Sequence, residues 1–282
     1  MKKACVVATV IVSVLVIISL VLTIFRKHMP LGSKVAIVRL EGPIAGSKKI
    51  IDEFKEYAKD NSVKAIVLRI NSPGGAVAPS QEIYEEVKRT AAKKKVVVSM
   101  GAIAASGGYY IASAATRIIA DPGTLTGSIG VIMELPNVEG LMNKIGLKTV
   151  IIKSGKNKDM GTPFREMKPA ERKILQNVMD NVHDQFIRAV AAGRKMKIED
   201  VRKLADGRIF TGEQALKNGL IDQLGTLDDA VRTAARMAGI SGEPQVVEKT
   251  DKFSLFDILK GRFPKELTDV LPAAKIKYLY SP

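Results

Sequence analysis

The chain has 282 residues, a formal net charge of +15, 46% hydrophobic residues and a single cysteine, Cys5. One cysteine excludes an intrachain disulfide and any cysteine-based metal site. The basic excess falls in scattered lysine pairs and triplets, with no aromatic stacking platform and no nucleic-acid motif, so it suits an anionic membrane surface better than DNA or RNA.

Ala4 to Phe25 form a mostly apolar run of 22 residues without a charge. At about 1.5 Å per residue such a run can cross a hydrocarbon core of about 30 Å. Lys2-Lys3 before it and Arg26-Lys27 after it nearly balance, so the flanking charge leaves orientation open. The run ends in Thr23-Ile24-Phe25-Arg26 without a small-residue cleavage site, which predicts an uncleaved transmembrane anchor over residues 1–28. Pro30, Gly32 and Ser33 mark a linker over 29–34.

The pattern then alternates. Val35 to Leu40 reads as a strand, and Ser47 to Asn61 as a helix with Ile50, Ile51, Phe54 and Tyr57 on one face. Ala65 to Ile70 is a second strand, broken by Asn71-Ser72-Pro73-Gly74-Gly75 before a helix containing Ile83 and Val87. Val96 to Met100 is a third, after which Ser106 opens a small-residue helix and Arg117 to Ala120 gives another short strand. Strands alternating with helices predict an α/β fold with a largely parallel sheet buried on both faces.

Farther on, 129–133 and 149–152 read as strands with a helix over 138–145 between them. Pro169 precedes a long amphipathic helix bearing Ile174, Val178, Val182, Phe186 and Val190, suited to cover the sheet or a neighbouring subunit. Helical patterns return over 198–205, 213–218 and 227–238. One domain over 35–242 accounts for these elements, and the Lys-rich, Pro-interrupted 243–282 reads as an extension.

Ser106 lies among Ala104, Ala105, Gly107 and Gly108, between a strand and a helix. That setting exposes a hydroxyl, and amides at a helix start can hold developing negative charge; an N-cap in a tightly packed turn is the bland alternative. Glycine amides after the strand ending near Ser72 could face the same oxygen, or could merely make a turn.

A serine hydroxyl needs a base. The chain has two histidines: His28 at the membrane boundary, and His183 in the long helix, where a partly exposed surface role is the simpler reading. A Ser-His-Asp triad therefore has little support. An amine serves as base only when sequestration lowers its value from about 10.4 towards 7 or 8, and composition does not choose among 44 basic residues.

Asn71 to Gly75, Ala104 to Tyr110, Thr124 to Val131, Lys153-Ser154-Gly155-Lys156-Asn157-Lys158-Asp159 and Asp206 to Gly212, followed by Gly219-Leu220-Ile221-Asp222, occur in an order that resembles the short form of signal peptide peptidase A. The resemblance covers about Val35 to Ala238. It implies a Clp/crotonase-like fold and a membrane-anchored serine endopeptidase with a Ser-Lys dyad, cleaving apolar peptides such as remnant signal peptides. Ser106 matches the nucleophile, and Lys158, 52 positions later, the general base. Ser128 matches a hydroxyl that holds the lysine amine, and Gly75 and Gly107 match the oxyanion-hole amides. No metal and no cofactor are implied. The partners implied are peptides, the membrane and further copies of the chain in a ring, in which serine and lysine can meet across neighbours. The resemblance also favours a short cytoplasmic amino terminus and an extracytoplasmic catalytic region.

Lys153 and Lys156 read as solvated charge beside Lys158, or as a cluster that disfavours its protonation. Asp159 reads as a structural partner or cap, and Tyr109 and Tyr110 as packing around the site. Two other functions compete: a crotonase-like acyl-thioester enzyme, which leaves Ser106 and Lys158 without a joint role, and a non-catalytic membrane scaffold.

Overall fold

Long runs of Val, Ile and Ala make β1 (Lys34–Glu41), β2 (Val63–Ser72) and β3 (Lys95–Ala105) the centre of the computed structural model, which describes residues 13–14 and 33–249. Most of the expected anchor, all but two residues of the linker and most of the extension lie outside the described residues. Among the described residues, no helix is long and apolar enough to cross a membrane.

The three strands pair in parallel, Ala36 beside Ile66 and Ile66 beside Val96. Side chains alternate across a strand, so each strand feeds two cores. Val38, Leu68 and Val98 point to one face; Val35, Val67 and Val97 point to the other. The first face is covered by α1 (Lys48–Lys59), α2 (Val77–Ala91), α3 (Gly107–Ala112) and the C-terminal half of α5 (Pro169–Arg194); α4 (Glu139–Lys144) buries no residue. The chain continues through α6 (Ile198–Leu204), α7 (Gly212–Lys217) and α8 (Leu227–Met237), and α8 seals the second face with Ala230, Val231, Ala234 and Ala235. This is the expected α/β fold with a mostly parallel sheet and flanking helices.

Shorter strands complete the sheet: β4 (Arg117–Ala120), β5 (Leu125–Gly127), β6 (Ile209–Thr211), β7 (Gln223–Leu224) and β8 (Gln245–Glu248). The order is β6-β5-β3-β2-β1-β8, with β4 beside β3 and β7 beside β4. β3 is long enough to serve two neighbours. Its residues 97–100 pair with β4 and its residues 103–105 with β5, while the ladder to β2 shifts register between Ile70 and Ser72. That shift carries the end of β3, and Ser106 after it, beyond the flat part of the sheet.

Two expected strands are absent. Residues 129–133 and 149–152 are rich in β-branched residues but take no strand conformation and join no ladder of the sheet. Ile132, Val150 and Ile152 are instead 82%, 84% and 96% exposed. β-propensity alone does not make a strand without a partner.

Candidate active site

Ser106 follows β3 directly and is the N-cap of α3, with φ 51° and ψ −120°. A side chain rarely adopts that backbone, and such strain persists only where the surroundings impose it. Here they do: the Ser106 amide donates to the Gly127 carbonyl at 2.9 Å and the Ser106 carbonyl accepts from the Tyr110 amide at 2.8 Å. Ser128 has the same φ of 51°, its amide donating to the Arg208 carbonyl at 2.8 Å. The residue before each is paired, Ala105 with Gly127, so both serines leave adjacent parallel strands at one level.

Both line a cavity of about 500 Å³ together with Gly75, Gly107, Tyr110 and His183. Gly75 forms a parallel bridge with Ile44, in which the Ile44 amide donates to the Gly74 carbonyl and the Ala76 amide donates to the Ile44 carbonyl. Successive amides in extended chain point opposite ways, so the Gly75 amide faces away from Ile44. A Cβ on Gly107 would lie 3.4 Å from the Gly75 nitrogen and 2.5 Å from Ser80 Oγ, which measures how closely the two glycines converge. Gly107 is the first residue of α3, where a helix leaves its amides without internal partners. Two amides beside one serine hydroxyl are suited to a developing oxyanion.

The opposite wall is the middle of α5. Met179, Val182, His183 and Phe186 share one helical face, and Phe186 meets the Tyr110 ring edge-on at 5.1 Å between centroids. Tyr110 also packs on Tyr84 at 4.8 Å, and burial pushes its hydroxyl above the ordinary phenol value, which leaves it a neutral wall. Tyr109 is fully buried and donates to the Leu220 carbonyl at 2.8 Å.

His183 is the partly exposed helix residue expected, and the structure adds that it stands in the cavity wall. Its Nε2 lies 3.2 Å from the Ile129 carbonyl, so that nitrogen donates its proton to the residue following Ser128. The spacing Met179–Val182–His183–Phe186 carries the signal for this placement; it shows a shared face but not what the face meets.

Lys158 stands apart. It is exposed on the segment before α5 and is not among the residues lining the cavity, so one copy of the chain does not bring it to Ser106. Its neighbours are engaged elsewhere. Lys153 Nζ donates to Asp159 Oδ1 and, at 3.1 Å, to the Lys156 carbonyl, which commits its charge to Asp159. The Asp206 to Asp222 motifs act as supports. Asp206 pairs with Arg208, whose carbonyl holds Ser128, and Asp222 accepts from Arg194 at 2.7 Å and from the Ile118 amide at 2.7 Å. Among the described residues, no cluster of three or more His, Cys, Asp or Glu is arranged to hold a metal.

Comparison with known proteins agrees with this architecture. The family model for Peptidase family S49 matches residues 88–241, and that for Clp protease matches residues 33–121. A protein named as a protease in Synechocystis sp. is 46% identical over 216 residues, covering 76% of this chain and 77% of that protein. One named as a protease in Methanocaldococcus jannaschii is 40% identical, covering 70% of this chain and 63% of its own length. One named as signal peptide peptidase SppA in Enterococcus faecium is 37% identical, with shares of 72% and 60%. The chain thus spans a little under two thirds of the last two.

Proposed function

Because the chain belongs to Peptidase family S49, whose members include proteins named as signal peptide peptidases, we propose that it is a membrane-anchored serine endopeptidase acting on apolar peptides such as remnant signal peptides. Ser106 attacks the scissile carbonyl, and the amides of Gly75 and Gly107 hold the resulting oxyanion. Lys158 of a neighbouring copy takes the hydroxyl proton and returns it to the leaving amine. Ser128, level with Ser106, holds that incoming amine. Water then releases the acyl group by the same base.

The observation that carries this reading is the strained backbone of Ser106 at the mouth of a cavity shared with Gly75, Gly107 and Ser128. Two further features support the neighbour. Lys158 is exposed and outside the cavity of its own copy, and the segment from 131 to 152 displays Ile132, Leu141, Ile145, Val150 and Ile152 to solvent. Apolar display on that scale marks a surface that meets another. The apolar run over 4–25 supplies the anchor.

The deciding experiment is hydrolysis of an apolar peptide by Ser106→Ala, by Lys158→Ala and by their mixture. Each variant alone is expected to be inactive, and the mixture to recover activity through sites built from one intact serine and one intact lysine. Turnover by either variant alone rejects the dyad. A silent mixture of assembled variants rejects the shared site.

A further inference from the structure

We propose that Arg165 is a positioning residue: its guanidinium clamps the segment carrying Lys158 to the start of α5, the helix whose middle walls the Ser106 cavity. The proposal rests on Lys158 being the base. That side chain is exposed, so its aim depends on its backbone, and residues 153–162 belong to no helix or strand. Their backbone bonds are local turns, Lys158 to Gly155 at 3.1 Å and Thr162 to Asp159 at 3.1 Å, and the Val138 amide, which donates to the Pro163 carbonyl at 2.8 Å, joins the segment to the stretch before α4 and not to α5.

The tie to α5 is made by side chains. Arg165 Nε and Nη2 donate to Asp159 Oδ2 at 3.0 and 2.9 Å, and Nη1 and Nη2 donate to Glu171 Oε2 and Oε1 at 2.8 and 2.6 Å. Glu171 lies in the first turn of α5, where its Oε2 also accepts from the Lys168 amide at 3.0 Å. One planar cation thus bridges the residue after Lys158 to the helix start, a task suited to a fork of fixed donors and not to a single ammonium.

Isolated surface ion pairs contribute little. This one is a network whose carboxylate side chains are only 8% and 5% exposed, so freeing either leaves a poorly solvated charge. The clamp has a second effect. Both oxygens of Asp159 are taken, Oδ1 by Lys153 and Oδ2 by Arg165, so the carboxylate next in sequence to Lys158 is committed to other cations.

The test uses the full-length assembled protein and an apolar peptide, with Arg165→Ala and, as a milder variant that leaves the α5 side intact, Asp159→Asn. Misplacing a reacting group by about 1 Å costs on the order of 10²-fold, so both variants are expected to lose kcat on that scale with unchanged assembly size. KM should stay within about threefold, because no peptide contact is removed. Mixing then locates the defect. Arg165→Ala should recover activity with Ser106→Ala, which supplies a sound lysine segment, and should not recover with Lys158→Ala. Wild-type kcat in both variants overturns the proposal, as does recovery with Lys158→Ala or failure with both partners while assembly persists. A silent control mixture of Ser106→Ala with Lys158→Ala rejects only the shared site, and the kcat of the single variants still decides the role of Arg165.

Discussion

Ser106 and Ser128 sit at one level on neighbouring parallel strands, each at φ 51°, with the Ser106 amide bound to the carbonyl of the residue preceding Ser128. Neither serine can relax without moving the other's strand. The sheet thereby holds two hydroxyls in a geometry that an isolated turn would abandon, and both line the same cavity.

That strain has a measurable sign. Replacing Ser106 with Gly removes the Cβ from an unfavourable backbone region, where the cost is about 1 kcal/mol or more. Ser106→Gly is expected to be inactive yet to unfold at a higher temperature than Ser106→Ala. Equal melting temperatures would show that the conformation stores no strain.

The paired glycines should resist even a methyl group. A Cβ on Gly75 would lie 2.3 Å from the Ile44 carbonyl oxygen, a backbone clash that must displace the chain. On Gly107 the nearest atom is Ser80 Oγ at 2.5 Å, a side chain that can be removed. Gly107→Ala is expected to lose kcat on the order of 10²-fold, as loss of one oxyanion donor does, with KM little changed. Adding Ser80→Gly should return part of that loss, whereas Gly75→Ala has no comparable rescue. Steady-state kinetics on the three variants test this order.

The clamp around Arg165 should be acid-sensitive. Hydrogen bonds from Lys153 and then Arg165 draw the Asp159 carboxyl from 3.8 to about 2, and Arg165 followed by the Lys168 amide draws Glu171 from 4.5 to about 2. Both folded values lie below the unfolded ones, so the contribution to stability is complete above the unfolded values and fades as pH falls from about 4.5 towards 2. Amide exchange over 153–171 should therefore accelerate across that window in the wild type. In Arg165→Ala the dependence should flatten; an unchanged slope would place the acid sensitivity elsewhere.

The exposed apolar segment should control assembly without controlling folding. Val150 and Ile152 are already 84% and 96% exposed, so charged replacements cost the isolated copy little. Val150→Lys with Ile152→Asp is expected to yield smaller species by light scattering, with unchanged far-ultraviolet circular dichroism and a parallel fall in peptide hydrolysis. Full-sized assemblies would show that another surface joins the copies.

The central strands were readable from sequence because both of their faces are buried, which forces near-continuous runs of Val, Ile and Ala over 35–40, 65–70 and 96–100. Residues 129–133 and 149–152 carry the same residue types yet form no strand, since strand formation needs a partner strand that local propensity does not encode. For His183 the helix face and partial exposure are legible in the sequence, whereas the cavity opposite it is not. Most of the expected anchor falls outside the described residues, and its hydropathy is what marks it.

What the chain's order of residues determined by itself was the local chemistry: a serine in a small-residue turn, glycines where backbones must approach, a lysine beside a carboxylate, and the family these strings mark. Tertiary structure alone decided distance. It set Ser106 level with Ser128, turned the Gly75 amide away from Ile44, brought α5 across the cavity, and left Lys158 outside it. Propensities act over a few residues, whereas these separations follow from strand register and helix packing, which close only when the whole sheet has formed.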